Sequence, residues 1–213
     1  MVIHMKTCPD CGKDGLRNLG MHIAQTECEY PELSDEVIEI VTGILMGDGH
    51  IEKSGLFGVA VNEKKYLQYV EEQFPDWLVT KSGVHPVSSE TSVGGLQYRL
   101  RTVAHPSFKE MRDLWYPKGK KKFPLNEIEP TGTILKHWYA TDGHLEKPSN
   151  RPQIASYNEN SEELRDWLNS YGFDTCQDYR GVCFNKRSQS DFYDSVDSPV
   201  PGYEYKWGDY DGS

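Results

Sequence analysis

A chain of 213 residues holds one sizeable domain, or a domain plus a small accessory module. A hydrophobic fraction of 37% and an aromatic fraction of 12% allow a true core and exclude a disordered tail, and no apolar run is long enough to cross a bilayer. The formal net charge of -10 excludes a surface that is basic all over. From Arg99 to Lys122, however, eight basic residues (Arg99, Arg101, Lys109, Arg112, Lys118, Lys120, Lys121, Lys122) face only Glu110 and Asp113, and such a zone can still dock nucleic acid. The start, Met1 to Thr7, lacks an apolar signal-peptide core, so a cytoplasmic, nucleoid-associated protein is expected. In that compartment the five cysteines point to metal ligation or free thiols rather than disulfides.

The first element is a metal-ligand pattern. Cys8 and Cys11 are followed by His22 and Cys28, spaced C-x2-C-x10-H-x5-C. Zinc takes four soft or borderline ligands in a tetrahedron, and two residues between cysteines let a tight turn present both thiolates. Gly12 suits that turn, and Leu16 to Gln25 is expected to form a short helix with His22 near its end. About thirty residues cannot build a stable core alone, so a metal is the natural staple. Free thiols in a flexible leader are the alternative, and His4 competes with His22 as the nitrogen ligand. A DNA-contacting finger is favoured over a purely structural plug.

A helix then ends near Asp48, where Gly49 is expected to supply a left-handed cap. Strands follow over about Gly49 to Asn62, a helix over Glu63 to Trp77, strands over Gly83 to Val103, and a helix over Pro106 to Trp115. After a basic linker the order returns: a helix ending at Asp142, strands over His144 to Tyr157, a helix over Ser161 to Tyr171, strands over Asp174 to Lys186, and a helix over Ser188 to Val196. The return is also literal. Asp48-Gly49-His50-Ile51-Glu52-Lys53 recurs 94 residues on as Asp142-Gly143-His144-Leu145-Glu146-Lys147. Upstream, Ile40, Val41, Ile44 and Leu45 align with Ile134, Leu135, Trp138 and Tyr139, at helical spacing. Downstream, the strand and helix from Val59 to Phe74 parallel the run from Ile154 through Asn158 to Tyr171. A repeat of this length is a domain duplication, and the chain reads as a pseudo-dimer.

A carboxylate at a helix C-terminus faces the negative end of the dipole. One Asp-Gly is most simply a helix stop and a turn. Two at equivalent points of a repeat suggest paired helices whose ends bring Asp48 and Asp142 together around a cation. A hard divalent ion such as Mg²⁺ or Mn²⁺ binds carboxylate oxygens and acidifies its bound water, which phosphodiester hydrolysis requires.

Val41 to Gly49 (VTGILMGDG) resembles the LAGLIDADG motif, and Leu135 to Gly143 (LKHWYATDG) resembles its second copy. The likeness to single-chain LAGLIDADG homing endonucleases covers residues 35 to 207. It implies an α/β (α+β) fold of two αββαββα halves, with Asp48 and Asp142 binding the shared metal. Gly119-Lys120-Lys121-Lys122-Phe123-Pro124 and Pro201 to Lys206 match the family's basic elements, which implies catalytic roles for Lys121 and Lys206 in stabilising phosphate charge or tuning the attacking water. Lys118 and Lys120 read equally as a solvated linker. Where Gly43 and Gly47 give the first helix a small face, the second has His137 and Thr141. Met46 stands for the family's middle Asp, and His50 and His144 are read as packing or phosphate contacts.

The resemblance also places both sheets in the DNA major groove. The candidate readers are Gln97, Tyr98, Arg99 and Arg101 in the first half, and Arg151, Gln153, Gln177, Arg180, Lys186 and Arg187 in the second. Strand alternation puts only half of each set on the DNA face. Cys176 and Cys183 read as ordinary strand residues, and Trp115, Trp138 and Trp167 as core. The expected domains are a zinc module (1–31), two halves (32–117 and 131–207) joined by a basic linker (118–130), and an acidic tail (208–213). The function implied is a monomeric, Mg²⁺-dependent, site-specific endonuclease cutting both strands of DNA, free-standing or intron-encoded. The alternatives are a catalytically silent RNA maturase or transcription regulator on the same scaffold, or a zinc-finger adaptor.

Overall fold

In this computed structural model the described residues are 6–16, 19–88, 96–147, 149–156 and 161–208. His4, the stretch from Tyr157 through Asn158, and the tail beyond Gly208 lie outside them. Among the described residues, seven α-helices and two antiparallel four-stranded sheets follow the duplicated order read from the sequence. After a short α1 (Leu19–Ala24), the first copy runs α2 (Asp35–Met46), β1 (His50–Ile51), β2 (Leu56–Val61), α3 (Lys64–Gln73), β3 (His85–Ser88), β4 (Leu96–Ala104) and α4 (Pro106–Trp115). The second runs α5 (Gly132–Asp142), β5 (Gly143–Glu146), β6 (Arg151–Ala155), α6 (Ser161–Ser170), β7 (Thr175–Gln177), β8 (Gly181–Phe184) and α7 (Gln189–Val196). The sheets are ordered β1-β2-β4-β3 and β5-β6-β8-β7. The chain divides into two compact units, one of Met1–Ile38 with Gly49–Lys122 and one of Glu39–Asp48 with Phe123–Ser213. The motif stretch of α2 therefore belongs with the second copy.

Helix ends follow local chemistry. Thr131 caps α5 by accepting the Ile134 N–H at 3.3 Å. Pro106 opens α4, whose N-cap His105 accepts from Ser107 N–H. α3 stops at Gln73, short of the expected Trp77, because Phe74 precedes Pro75 and is driven extended (φ -91, ψ 143). In each sheet one face is buried: Phe57, Val59, Val61, Leu100 and Thr102 in the first, Ile154, Val182 and Phe184 in the second. Trp115, Trp138 and Trp167 are all core residues.

Two expectations are corrected. Neither Gly49 nor Gly143 is left-handed; Gly143 is extended (φ -80, ψ 155), and glycine is needed there because a Cβ would lie 2.6 Å from Tyr139 Cε2. Cys176 and Cys183 are not ordinary strand residues but a disulfide. They sit directly opposite one another in the β7–β8 pair, and that register could not be read without knowing where the hairpin turns.

Candidate active site and nucleic-acid faces

The end of α2 packs against α5 inside one unit, and small residues make the approach possible. A Cβ on Gly43 would lie 2.5 Å from Ile134 O and 2.9 Å from His137 Cβ. One on Gly47 would lie 2.8 Å from Thr141 Cβ and 3.3 Å from the carboxyl carbon of Asp142. Asp142, the last residue of α5, thus stands beside the turn that carries Asp48. The bulk of His137 is taken up by burial rather than by a looser contact. The ring is 1% exposed, and burial first, then Lys136, pushes its pKa down to about 3, so it packs as a neutral group.

Lys206 answers the unfavourable placement of a carboxylate at a helix C-terminus. It is 6% exposed, and its ammonium donates to Ala140 O at 2.6 Å and Tyr139 O at 3.5 Å, two carbonyls of the last turn of α5. A cation there meets the negative end of the dipole. Tyr139 hydroxyl returns a hydrogen bond to Lys206 O at 2.7 Å, and the ammonium lies 4.3 Å from the Tyr203 ring centroid. Burial lowers the Lys206 pKa to about 8, against the opposing pull of Asp142 and then Asp48. Asp48, Asp142 and Lys206 therefore form one electrostatic cluster. Two carboxylates supply hard oxygen donors of the kind that Mg²⁺ and Mn²⁺ bind.

In the other unit, exposed Lys121 donates to Gly49 O at 2.9 Å. Sequence reasoning missed the remaining supports of this strand. Tyr116 hydroxyl accepts from Ile51 N–H at 3.3 Å, Arg112 donates to Ile51 O, and the guanidinium lies 4.6 Å from the Tyr116 ring centroid. Strand β1 is thus pinned directly after the aspartate turn. The signal in the sequence is the four-residue spacing between Arg112, in the last turn of α4, and Tyr116, its C-cap.

The register resolves which candidate readers share a face. His50, Gly58, Arg101, Ala60, Arg99, His85, Gln97 and Val87 follow one another across paired strands, opposite the core residues. Gln97, Arg99 and Arg101 therefore stand on the open face, whereas Tyr98 points the other way with Lys64 over its ring. Gly58 leaves room for His50, whose ring carbon Cε1 lies 2.9 Å from the place a Cβ would take. Desolvation lowers the His50 pKa; Glu52 opposes this, and Arg101, Arg99 and Lys121 add to it. Arg101 pairs with Glu52, and Arg99 Nε is buried without a hydrogen-bond partner.

The open face of the second sheet carries His144, Glu146, Arg151, Gln153, Cys183 and Cys176. Arg151 is paired with Glu146 at 2.7 Å, and its Nη1 lies 3.4 Å from Cys176 Sγ. Gln153 is fully buried and gives its amide to Asp178 at 2.6 Å, while its Oε1 lacks a partner. Gln177 falls on the core-facing side, at the exposed sheet edge. Arg180 stacks beside exposed Tyr179 at the hairpin tip, and Lys186 and Arg187 are exposed in the turn after β8.

The four N-terminal ligand atoms, from Cys8, Cys11, His22 and Cys28, lie within 4.8 Å of one another. His22 Nε2 is 3.3 Å from Cys11 Sγ and 3.5 Å from Cys28 Sγ. Zinc bonds of ordinary length in a tetrahedron place such atoms about 3.6 Å apart. Gly12 takes φ +71 as the knuckle requires, and Cys11 N–H directed at Cys8 lowers that thiol's pKa.

The sequence profile of the LAGLIDADG DNA endonuclease family matches residues 38–175. An uncharacterized protein of Methanocaldococcus jannaschii is 30% identical over 121 residues, 55% of this chain and 47% of that protein, so the chain spans about half the length of this relative. Among solved structures, the homing endonuclease I-WcaI bound to its DNA recognition sequence aligns with TM-score 0.67 and 18% identity, over 87% of this chain and 91% of its own. I-DmoI in complex with DNA and Ca aligns with TM-score 0.51 and 16% identity, over 80% and 95%. Full-length WhiA from Thermatoga maritima aligns with TM-score 0.50 and 13% identity, over 84% and 61%. At these identities the structural likenesses are likenesses of fold.

Proposed function

Since the chain belongs to the LAGLIDADG DNA endonuclease family, we infer that it is a site-specific endonuclease hydrolysing both strands of duplex DNA with a divalent cation. One observation carries the reading: both repeated aspartates are kept, and Asp48, Asp142 and Lys206 share one electrostatic cluster at the paired ends of α2 and α5. The carboxylates of Asp48 and Asp142 hold the cation. When bound, Mg²⁺ or Mn²⁺ supplies an acidified water and neutralises phosphate charge. Lys206 holds the last turn of α5, and with it Asp142, through the Ala140 and Tyr139 carbonyls. Lys121 offers its ammonium to the phosphate as charge builds there.

Gln97, Arg99, Arg101 and Arg151 read base edges from the open sheet faces, with Arg180, Lys186 and Arg187 on phosphates. The buried, unpartnered Arg99 Nε favours this assignment, because such a group is costly until a ligand satisfies it.

The test is digestion of a randomised duplex library with Mg²⁺ or with chelator, followed by sequencing of all new ends, with Asp48→Asn alongside. Discrete ends that need both Mg²⁺ and Asp48 are expected, with a loss of at least about a thousandfold in the variant. Binding to a defined sequence with no ends at all would overturn the nuclease and leave a regulator or maturase on the same fold.

A further inference from the structure

The N-terminal module is not an appendage. Its small core of Cys8, Leu16, Leu19 and Ile23 packs against Cys28, Tyr30 and Trp77, so one wall of the module comes from the segment that links α3 to β3. That segment is itself part of the first sheet. Val103 N–H donates to Leu78 O at 2.7 Å and Thr80 N–H to Arg101 O at 2.9 Å, so residues 78–80 run as an edge beside β4. On this edge the carbonyls of Leu78 and the N–H of Thr80 face β4, and strand alternation turns those of Trp77 and Val79 outward. The ammonium of Lys6 takes both of them, Trp77 O at 2.8 Å and Val79 O closer still.

Beyond Trp77 the contact continues into the aromatic cluster beneath the module. His105 meets the rings of Tyr30 and Phe108 edge to face and that of Trp77 at a tilt. Its Nδ1 accepts from Ser107 N–H, so the proton sits on Nε2 and is donated to Pro31 O at 3.0 Å. The chain leaving the module is thereby tied to the N-cap of α4. An exposed sheet edge is a liability that proteins cover, and here Lys6, just before the Cys8–Cys11 turn, covers it.

Among its described residues, the module presents a surface poorly suited to phosphate. Among the described residues from Lys6 to Glu32, Asp10, Asp14, Glu27, Glu29 and Glu32 are exposed carboxylates and Lys13 is the single exposed lysine. The cleft of about 810 Å³ between module and edge segment is lined by Glu71 and Asp76 as well as by Lys6 and Lys81, so it offers no net positive site for a phosphate.

We propose that Cys8, Cys11, His22 and Cys28 bind one zinc ion whose task is to clasp the free edge of the first sheet, and that the module is not a DNA-contacting finger. Zinc fixes the knuckle that holds Lys6 over Trp77 and Val79, and the clasped segment in turn sets the position of β3 beside β4. That this sheet reads DNA rests on the function proposed above; the clasp itself does not.

The full chain tests both claims separately. Zinc content is expected at one ion per chain. Stripping the metal, or Cys11→Ser, should speed amide exchange at Thr80, Val103 and the β3 residues at least about tenfold. Lys6→Met, which touches no ligand, should keep its zinc and show the same faster exchange at Thr80 and Val103. With generic duplex DNA as the probe, the slope of log affinity against log salt should stay unchanged on zinc removal. A finger would lose about 0.9 in slope for each phosphate contact. Unchanged exchange in the metal-free protein and in Lys6→Met would overturn the clasp, and a falling salt slope with unchanged exchange would establish the finger. If the protein binds no DNA, the exchange measurement still decides the clasp while the nuclease reading fails by itself.

Discussion

The two sheets share an element order and differ in how their open faces are occupied. On the first, Arg99 has no ion-pair partner among the described residues, and Arg101 has Glu52 at a half-exposed position where such a pair is worth little. On the second, Arg151 is committed to Glu146 and Cys176, Gln153 is buried against Asp178, and a disulfide crosses the face between β7 and β8. Duplication kept the scaffold and let the faces diverge. One face holds its donors ready; the other has them satisfied internally, so a base competes with an existing partner before it gains anything. Recognition energy is therefore expected to be unequal between the halves.

The paired helices differ in the same sense, with glycines on α2 and His137 and Thr141 on α5. The largest effect sharpens that contrast. His137 has a folded pKa of about 3 against an ordinary value near 6.5. Above pH 6.5 the ring is neutral in both states and contributes nothing to the pH dependence. Below it only the unfolded chain takes up the proton, so stability falls by about 1.4 kcal/mol per pH unit towards pH 3. Denaturant melts at pH 7 and pH 5 should show this loss, and His137→Gln should flatten the difference. The lowered pKa of His105 adds a smaller slope of the same sign that the variant keeps. Equal slopes in both proteins would break the claim that α5 fills its side of the helix pair with a neutral ring.

Next in size is Gly47→Ala, expected to cost about 1–3 kcal/mol because its methyl meets Thr141. Thr141→Ala in the same chain should recover part of that loss, as a double-mutant cycle would measure. Full additivity would mean that the two helices do not touch at these positions. The last comparison sets the sheets against each other directly, and its smallest effect is on the second. Arg99→Ala and Arg101→Ala should each weaken binding to the recognised duplex by about 1–3 kcal/mol and relax specificity at one position. Arg151→Ala should cost less than about 1 kcal/mol, since its interactions are already made within the sheet. Equal losses from both sheets would erase the asymmetry.

What could be read from the chain alone is what repeats locally. Hydrophobic periods of two and near four set the helices and strands, which is why α4 was placed at Pro106 to Trp115 without error. The internal match at Asp48 and Asp142 disclosed the duplication, and the ligand spacing from Cys8 to Cys28 disclosed a site whose atoms the fold then gathers. The helix expected over Glu63 to Trp77 ran past Pro75, and the structure ends it at Gln73. Everything that depends on which strand residue lies opposite which was decided by tertiary structure. Register put Cys183 against Cys176 and, with the packing around it, buried Gln153; alternation alone separates Tyr98 from Arg99 and Arg101, and only the tertiary structure says which of the two faces is open. So did the long-range docking of single groups: Lys206 on the end of α5, Arg112 and Tyr116 on β1, Lys6 on Trp77 and Val79. A sequence records each residue's own preferences, whereas these dockings of single groups join positions 61 to 73 residues apart, and their energies exist only once the chain has closed the loops between them.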